Sequence, residues 1–226
     1  VRVEREPRLP VDQVDDEEGV ASCEMLLGRH AFTHRDFDTA MSHGKRAVRI
    51  LERVGRLEPL GLAVNLIGEA TRFAGQLDES VGHYERALRI FERLASELAA
   101  LPRYNLVLVD IERGNYAVAQ KQLFELERSR QMGSGRMEAN IAYAGLAISA
   151  ARGEWDAFDA RMSVSERWSP RSGRTSLDFA IVARIAGDVA AAAGQSGRAV
   201  GAYDLAAQHY EALSRPDEAR ECRARA

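Results

Sequence analysis

Lysine is almost missing from this chain of 226 residues: Lys45 and Lys121 are the only two among 31 basic residues, and the rest are arginine. That leaves few candidates for a Schiff-base amine or for the lysine of a phosphate loop. The bias toward arginine, whose codons are GC-rich, reads as the mark of a GC-rich bacterial genome. Cysteine is as scarce. Cys23 and Cys222 stand near opposite ends of the chain, with no C-x-x-C pair, and a disulfide needs Cα atoms within about 7 Å. Two reduced, inert thiols of a cytoplasmic protein are expected. Apolar runs of membrane-spanning length are missing too. The longest candidate, Phe179 to Ala193, is broken by Arg184 and Asp188, and no basic-then-apolar leader opens the chain. No stretch alternates Val, Ile and Thr as a strand would. An excess of positive charge is also absent. The net charge of −3, from 31 Lys+Arg against 34 Asp+Glu, argues against a nucleic-acid surface.

What is present is a recurring phrase. It reads His34-Arg35-Asp36-Phe37-Asp38-Thr39-Ala40, then Ala74-Gly75-Gln76-Leu77-Asp78-Glu79-Ser80. It returns as Arg113-Gly114-Asn115-Tyr116-Ala117-Val118-Ala119, as Arg152-Gly153-Glu154-Trp155-Asp156-Ala157-Phe158, and as Ala193-Gly194-Gln195-Ser196-Gly197-Arg198-Ala199. The turn positions 35, 75, 114, 153 and 194 are 40, 39, 39 and 41 residues apart. A period of that length marks stacked supersecondary units and moves the functional expectation from catalysis toward holding another protein or peptide.

Between the turns, apolar residues recur at i, i+3, i+4 and i+7, as Ala40, Met41, Ala47, Val48, Ile50 and Leu51 do, which predicts helices buried on one face. The expected helix pairs are 19–34 with 37–56, 60–74 with 77–97, 100–113 with 116–131, 137–152 with 154–166, and 175–193 with 197–213. Gln131–Gly135 and Ser169–Gly173 read as loops. Residues 1–18, with two prolines and the acids Asp12, Asp15, Asp16, Glu17 and Glu18, read as a linker or N-terminal extension ahead of a repeat domain over 19–226. Its repeats run over about 19–58, 59–98, 99–136, 137–173 and 174–213, with a polar capping helix at 216–226. A first residue that is Val rather than Met suggests a piece of a longer polypeptide.

These residues resemble the tetratricopeptide repeat. The second unit carries the likeness best, with Ile67-Gly68, the turn Gly75, and Ser80, Tyr84, Ala87 and Leu88 at the small, aromatic, Ala and Leu positions. The first unit supplies Leu27-Gly28, Asp36-Phe37, Ala40, Ala47 and Val48, with Gly44 at the aromatic site. The third has Leu106, Gly114, Tyr116 and Ala119, and the fifth Ala186-Gly187, Gly194, Ala199, Tyr203 and Ala206. The fourth departs most: Phe158 replaces a small residue, so its second helix is expected to be displaced or short, ending near Trp168 and Pro170. The resemblance implies an all-α, right-handed superhelical solenoid of five helix-turn-helix repeats with an inner groove. The long repeats are similar to those of kinesin light chains and of large bacterial signalling regulators.

In that family the first helix of each pair lines the groove. The implied binding residues are Met25, Arg29 and Phe32, then Asn65, Glu69 and Arg72, then Tyr104, Leu108 and Glu112, then Asn140 and Tyr143, and finally Arg184 and Asp188. Asn can hold a ligand backbone through paired donor and acceptor, and Tyr and Arg are frequent anchors; the plain alternative is ordinary solvated side chains. Glu69 and Glu112 oppose the acidic tails that some relatives clamp. His30 and His34 are spaced as two metal ligands but lack a third. Met132-Gly133-Ser134-Gly135-Arg136 lacks the Gly-Lys-Ser/Thr end of a phosphate loop. Arg128, Arg130, Arg171 and Arg174 read as a solvated rim, and Trp155 and Trp168 as core. No nucleophile–base pair, metal set or cofactor motif is recognisable. The expected function is a non-catalytic protein- or peptide-binding scaffold or sensor within a larger bacterial signalling or regulatory protein. Self-association of the parent is the first alternative and an enzyme site in the groove the second.

Overall fold

The repeated phrase dictates where helices end and how closely they meet. The computed structural model describes residues 11–128 and 135–226, with side chains over 16–128 and 137–226. The described residues contain no strand. Their helices are α1 (Val11–Thr33), α2 (Phe37–Val54), α3 (Leu57–Phe73), α4 (Leu77–Arg93), α5 (Ala100–Glu112) and α6 (Tyr116–Arg128). They continue as α7 (Gly135–Arg152), α8 (Trp155–Arg167), α9 (Leu177–Ala192), α10 (Ser196–Ala212) and α11 (Pro216–Arg225). The protein is therefore an all-α solenoid-type fold of consecutive helix pairs. Two compact units divide it, one ending at Asn105 and one beginning at Leu106, a boundary inside α5. In the first, α1 packs on α2, α2 on α3 and α3 on α4. In the second, α6 packs on α7, α7 on α8 and α9, α9 on α10, and α10 on α11.

Every turn position of the phrase takes a left-handed backbone: φ is 63° at Arg35, 82° at Gly75, 75° at Gly114, 69° at Gly153 and 73° at Gly194. Such a residue ends a helix and returns its N–H to the last turn, as Gly75 does to the Arg72 carbonyl at 2.9 Å. Glycine adopts it without Cβ strain, which is why the phrase is legible. At the first turn Asp36 then caps α2, accepting the Thr39 N–H at 3.1 Å. The Thr39 side chain, and after it that backbone N–H, hold the Asp36 carboxyl below its ordinary range.

Some expected boundaries are corrected. α1 begins at Val11 rather than 19. Its early acids bind the last turn of α2 and the residue before α3, Glu17 to Arg53 at 2.8 Å and Glu18 to Arg56 at 2.6 Å, and acids suit the positive N-terminal end of a helix. α4 stops at Arg93 and a 3-10 turn, Glu97–Ala99, follows. Another 3-10 turn, Pro170–Ser172, fills much of the expected loop 169–173. The other expected loop falls outside the described residues except for Gly135, which opens α7. α8 has 13 residues against 17 in α4, in keeping with a short second helix in the fourth unit. Phe158 sits there 1% exposed, edge-on to Trp155.

Helix contacts follow a register of sixteen. A Cβ on Gly68 would lie 2.8 Å from the Tyr84 ring, and one on Gly187 would lie 2.7 Å from the Tyr203 ring. In each case the first helix has no side chain where the second brings an aromatic. Gly28 and Gly44 share the spacing, and there Ile67 of the next pair fills the gap, 2.6 Å from a Cβ on Gly44. Gly145 makes room in the same way for Arg161. Tyr84 and Ala87 are both 0% exposed, so added volume has no exit. Gly68→Leu and Ala87→Phe are each expected to cost about 1–3 kcal/mol or more. A thermal melt followed by circular dichroism checks this, and parental midpoints for both would refute the register.

Candidate functional site

The expected binding residues sit on the first helices, and burial sorts them. In the unit ending at Asn105, Arg29 is exposed, while Met25 and Phe32 are half-buried. Met25 packs against a core that includes Val48, Leu51, Val64 and Ile67. Phe32 joins Phe37 and Phe73 in a ring cluster with centroids 5.3–6.1 Å apart. Asn65 is 5% exposed; its amide nitrogen donates to Glu69 at 2.8 Å, and its oxygen accepts from Asn105 at 3.1 Å. Arg72 is 3% exposed with its guanidinium 4.3 Å from the Phe73 ring centroid. Tyr104 is buried. Two amides on successive first helices thus share a buried hydrogen bond, and Glu69, half-exposed, carries that network toward solvent.

In the unit beginning at Leu106, Leu108 and Tyr143 are 0% exposed, whereas Glu112 and Asn140 are half-exposed. Leu108 and Tyr143 therefore belong to the packed interior. Arg184 and Asp188 pair at 2.8 Å. Asp188 also accepts from the Tyr203 hydroxyl at 2.9 Å and from Arg225 of α11 at 2.8 Å. That cluster ties the last helix down, as a polar cap over a repeat must.

Tyr143 heads a buried network absent from the sequence reading. Its ring stacks on Phe179 at 4.0 Å. Its one phenolic proton goes to the Ser165 carbonyl at 3.1 Å, so its oxygen accepts from His209 Nε2 at 2.6 Å. His209 Nδ1 is left to accept from the Thr175 hydroxyl at 3.3 Å. His209 is 0% exposed, and burial pushes it down to about 4; burial pushes the Tyr143 hydroxyl up. Asn105 was likewise missed, although its spacing of 40 from Asn65 was a signal.

His34 Nδ1 lies 2.9 Å from the His30 carbonyl, a helix-end contact, and among the described residues no three His, Cys, Asp or Glu side chains converge as a metal site. Cys23 is exposed and Cys222 buried, both as free thiols; burial pushes the Cys222 thiol up. No helix among the described residues is long and apolar enough to cross a membrane. Trp155 and Trp168 are both half-buried rather than sealed in a core. Arg128 lies over Phe124 at 5.5 Å and Arg174 over Trp168 at 3.8 Å. Arg130 and residues 131–134 of the glycine-rich stretch lie outside the described residues.

Comparison with solved structures gives a clear likeness. The fold resembles that of a Rap protein solved in complex with Competence and Sporulation Factor, with a TM-score of 0.66 at 14% identity. The likeness covers 87% of this chain and 53% of the Rap chain, so this chain spans about half the length of its neighbour. At that identity the likeness speaks for the fold alone. No protein-family model and no curated protein matches the sequence.

Proposed function

We propose that this chain is a non-catalytic scaffold or sensor region that binds a protein or peptide along the faces of its first helices. Its repeats are read as tetratricopeptide repeats within a larger bacterial signalling or regulatory protein. The carrying observation is the helical-repeat fold it shares with Rap, which was solved holding a factor. Within the first unit the exposed Arg29 and the half-exposed Phe32 and Glu69 offer a cation, a ring and a carboxylate, with Glu69 oriented by the buried Asn65 amide. Such a mixture suits a segment of mixed polarity better than an acidic tail.

The test begins with selection of binding peptides from a displayed library. Arg29→Ala and Glu69→Ala are each expected to weaken the selected peptide by about 1–3 kcal/mol if they are anchors. Arg86→Ala on α4, whose guanidinium pairs with Glu52, is expected to change it little. The reverse pattern overturns the reading. One observation favours self-association instead: Val20, Leu26 and Leu27 of α1 are 52%, 68% and 50% exposed. Light scattering on the same samples decides that point, because a dimer broken by Leu26→Glu would make α1 a contact between copies.

A further inference from the structure

We propose that a recess at the start of α9 binds a carboxylate carried on a flat apolar body, such as an aromatic ring. The recess is about 350 Å³ and is lined by Trp168, Gly173, Arg174, Thr175, Ser176 and Phe179, at the lower end of the range for small-ligand sites. It lies on the α8–α9 connection and does not depend on the first-helix reading above.

Arg174 is the central observation. Its guanidinium lies 3.8 Å from the Trp168 ring centroid, and among the described residues it meets no carboxylate. Other arginines of this unit are committed: Arg198 to Asp159 at 2.7 Å, Arg161 to Glu127 at 3.3 Å, and Arg215 to Glu218. A guanidinium laid on an indole is held flat and shielded on one side, while its N–H donors remain at the edge of the plane. That is the geometry a carboxylate accepts with two parallel bonds.

A second source of positive potential adjoins it. Ser176, the residue before α9, is extended (φ −154°, ψ 141°), and its side chain does not cap the helix. The first N–H groups of α9 are therefore left without that partner. Asp178 in the first turn answers part of this potential. The apolar element is equally fixed. Phe179 is 5% exposed and held by its stacking on Tyr143, and Thr175 is tethered to the buried His209. A larger recess of about 470 Å³ beside Trp155 lacks this character: Arg198, which lies over Trp155, already binds Asp159 and Gln195.

The test uses the whole chain carrying Trp155→Phe, so that Trp168 is the only tryptophan. Phenylacetate, phenylethanol and inorganic phosphate are titrated against its emission, with calorimetry on the unaltered chain as a second readout. Phenylacetate is expected to saturate, and Arg174→Gln to weaken it by about tenfold or more, as loss of a charged bidentate partner should. Arg171→Gln, an exposed neighbour, is expected to leave it unchanged. No saturation by either method, equal binding to Arg174→Gln, or equal binding of phosphate or phenylethanol would each overturn the proposal. Competition by a peptide ending in phenylalanine but not by its amide would support the site and identify a chain terminus as the source. Competition by the free acid alone would support it with a small metabolite as the source.

Discussion

Tyr143→Ala is expected to destabilise the second unit by about 3–5 kcal/mol, the range for deleting a fully buried aromatic side chain. The ring has 0% exposure, stacks on Phe179 at 4.0 Å, and joins α7 to α8 through the Ser165 carbonyl and to α10 through His209. Removing it opens a cavity and strands two polar groups. Tyr143→Phe separates those causes. It keeps the ring but leaves the His209 Nε2–H and the Ser165 carbonyl without the hydroxyl, at a cost of about 1–3 kcal/mol. Denaturant melts give both numbers. If the alanine variant cost no more than the phenylalanine variant, the ring would not be packed as described. If the phenylalanine variant cost nothing, the hydrogen bonds would carry no stability. With both costs as expected, Tyr143 acts in the interior, and a loss of ligand binding on its substitution needs a fold control before it can be read as a contact.

The parts of this molecule that were legible in sequence are those where one residue type answers one local demand. The turn positions were legible because a left-handed backbone favours glycine, and even Arg35, the exception, takes φ 63°. Gly68 with Tyr84 and Gly187 with Tyr203 were legible only through the repeat motif they resemble, and the structure supplies the reason, a ring on one helix filling the space a side chain would take on the other. The start of α1 was not, because Glu17 finds its partner on α2 and Glu18 finds its partner at the residue before α3, 36 and 38 residues further along the chain. The face of the first helices was only partly legible. Periodicity separates apolar from polar positions, yet Tyr143 and Tyr104, both with a polar tip, turn inward. The Thr175–His209–Tyr143 network had no local signal at all, since its members lie on separate elements 34 and 66 residues apart. Arg174 looked like one solvated cation among 31 basic residues; only its position on the Trp168 ring sets it apart.

His209 makes a second large effect, one that appears only with pH. The folded protein holds it neutral, with burial pushing it from the ordinary 6.5 down to about 4. Between those values the unfolded chain binds the proton that the folded chain refuses. Stability therefore rises with pH through that window. The contribution is fully present above about pH 6.5 and is lost progressively as pH falls toward 4, a total of roughly 3 kcal/mol for a shift of this size. Thr175 and Tyr143 can each accept from a protonated ring, so the penalty is one of desolvation rather than of broken bonds. Acid also protonates the surface carboxylates, Asp36 and Asp159 among them, whose folded-state values lie below the ordinary range. The measurement is therefore a difference. Unfolding free energies of the parent and of His209→Gln are compared at pH 7 and pH 4, the glutamine keeping a neutral amide in place of the ring. The parent is expected to lose about 3 kcal/mol more than the variant over that interval. Parallel losses would mean that His209 is solvated or already charged in the folded state, and the buried network around Tyr143 would have to be redrawn.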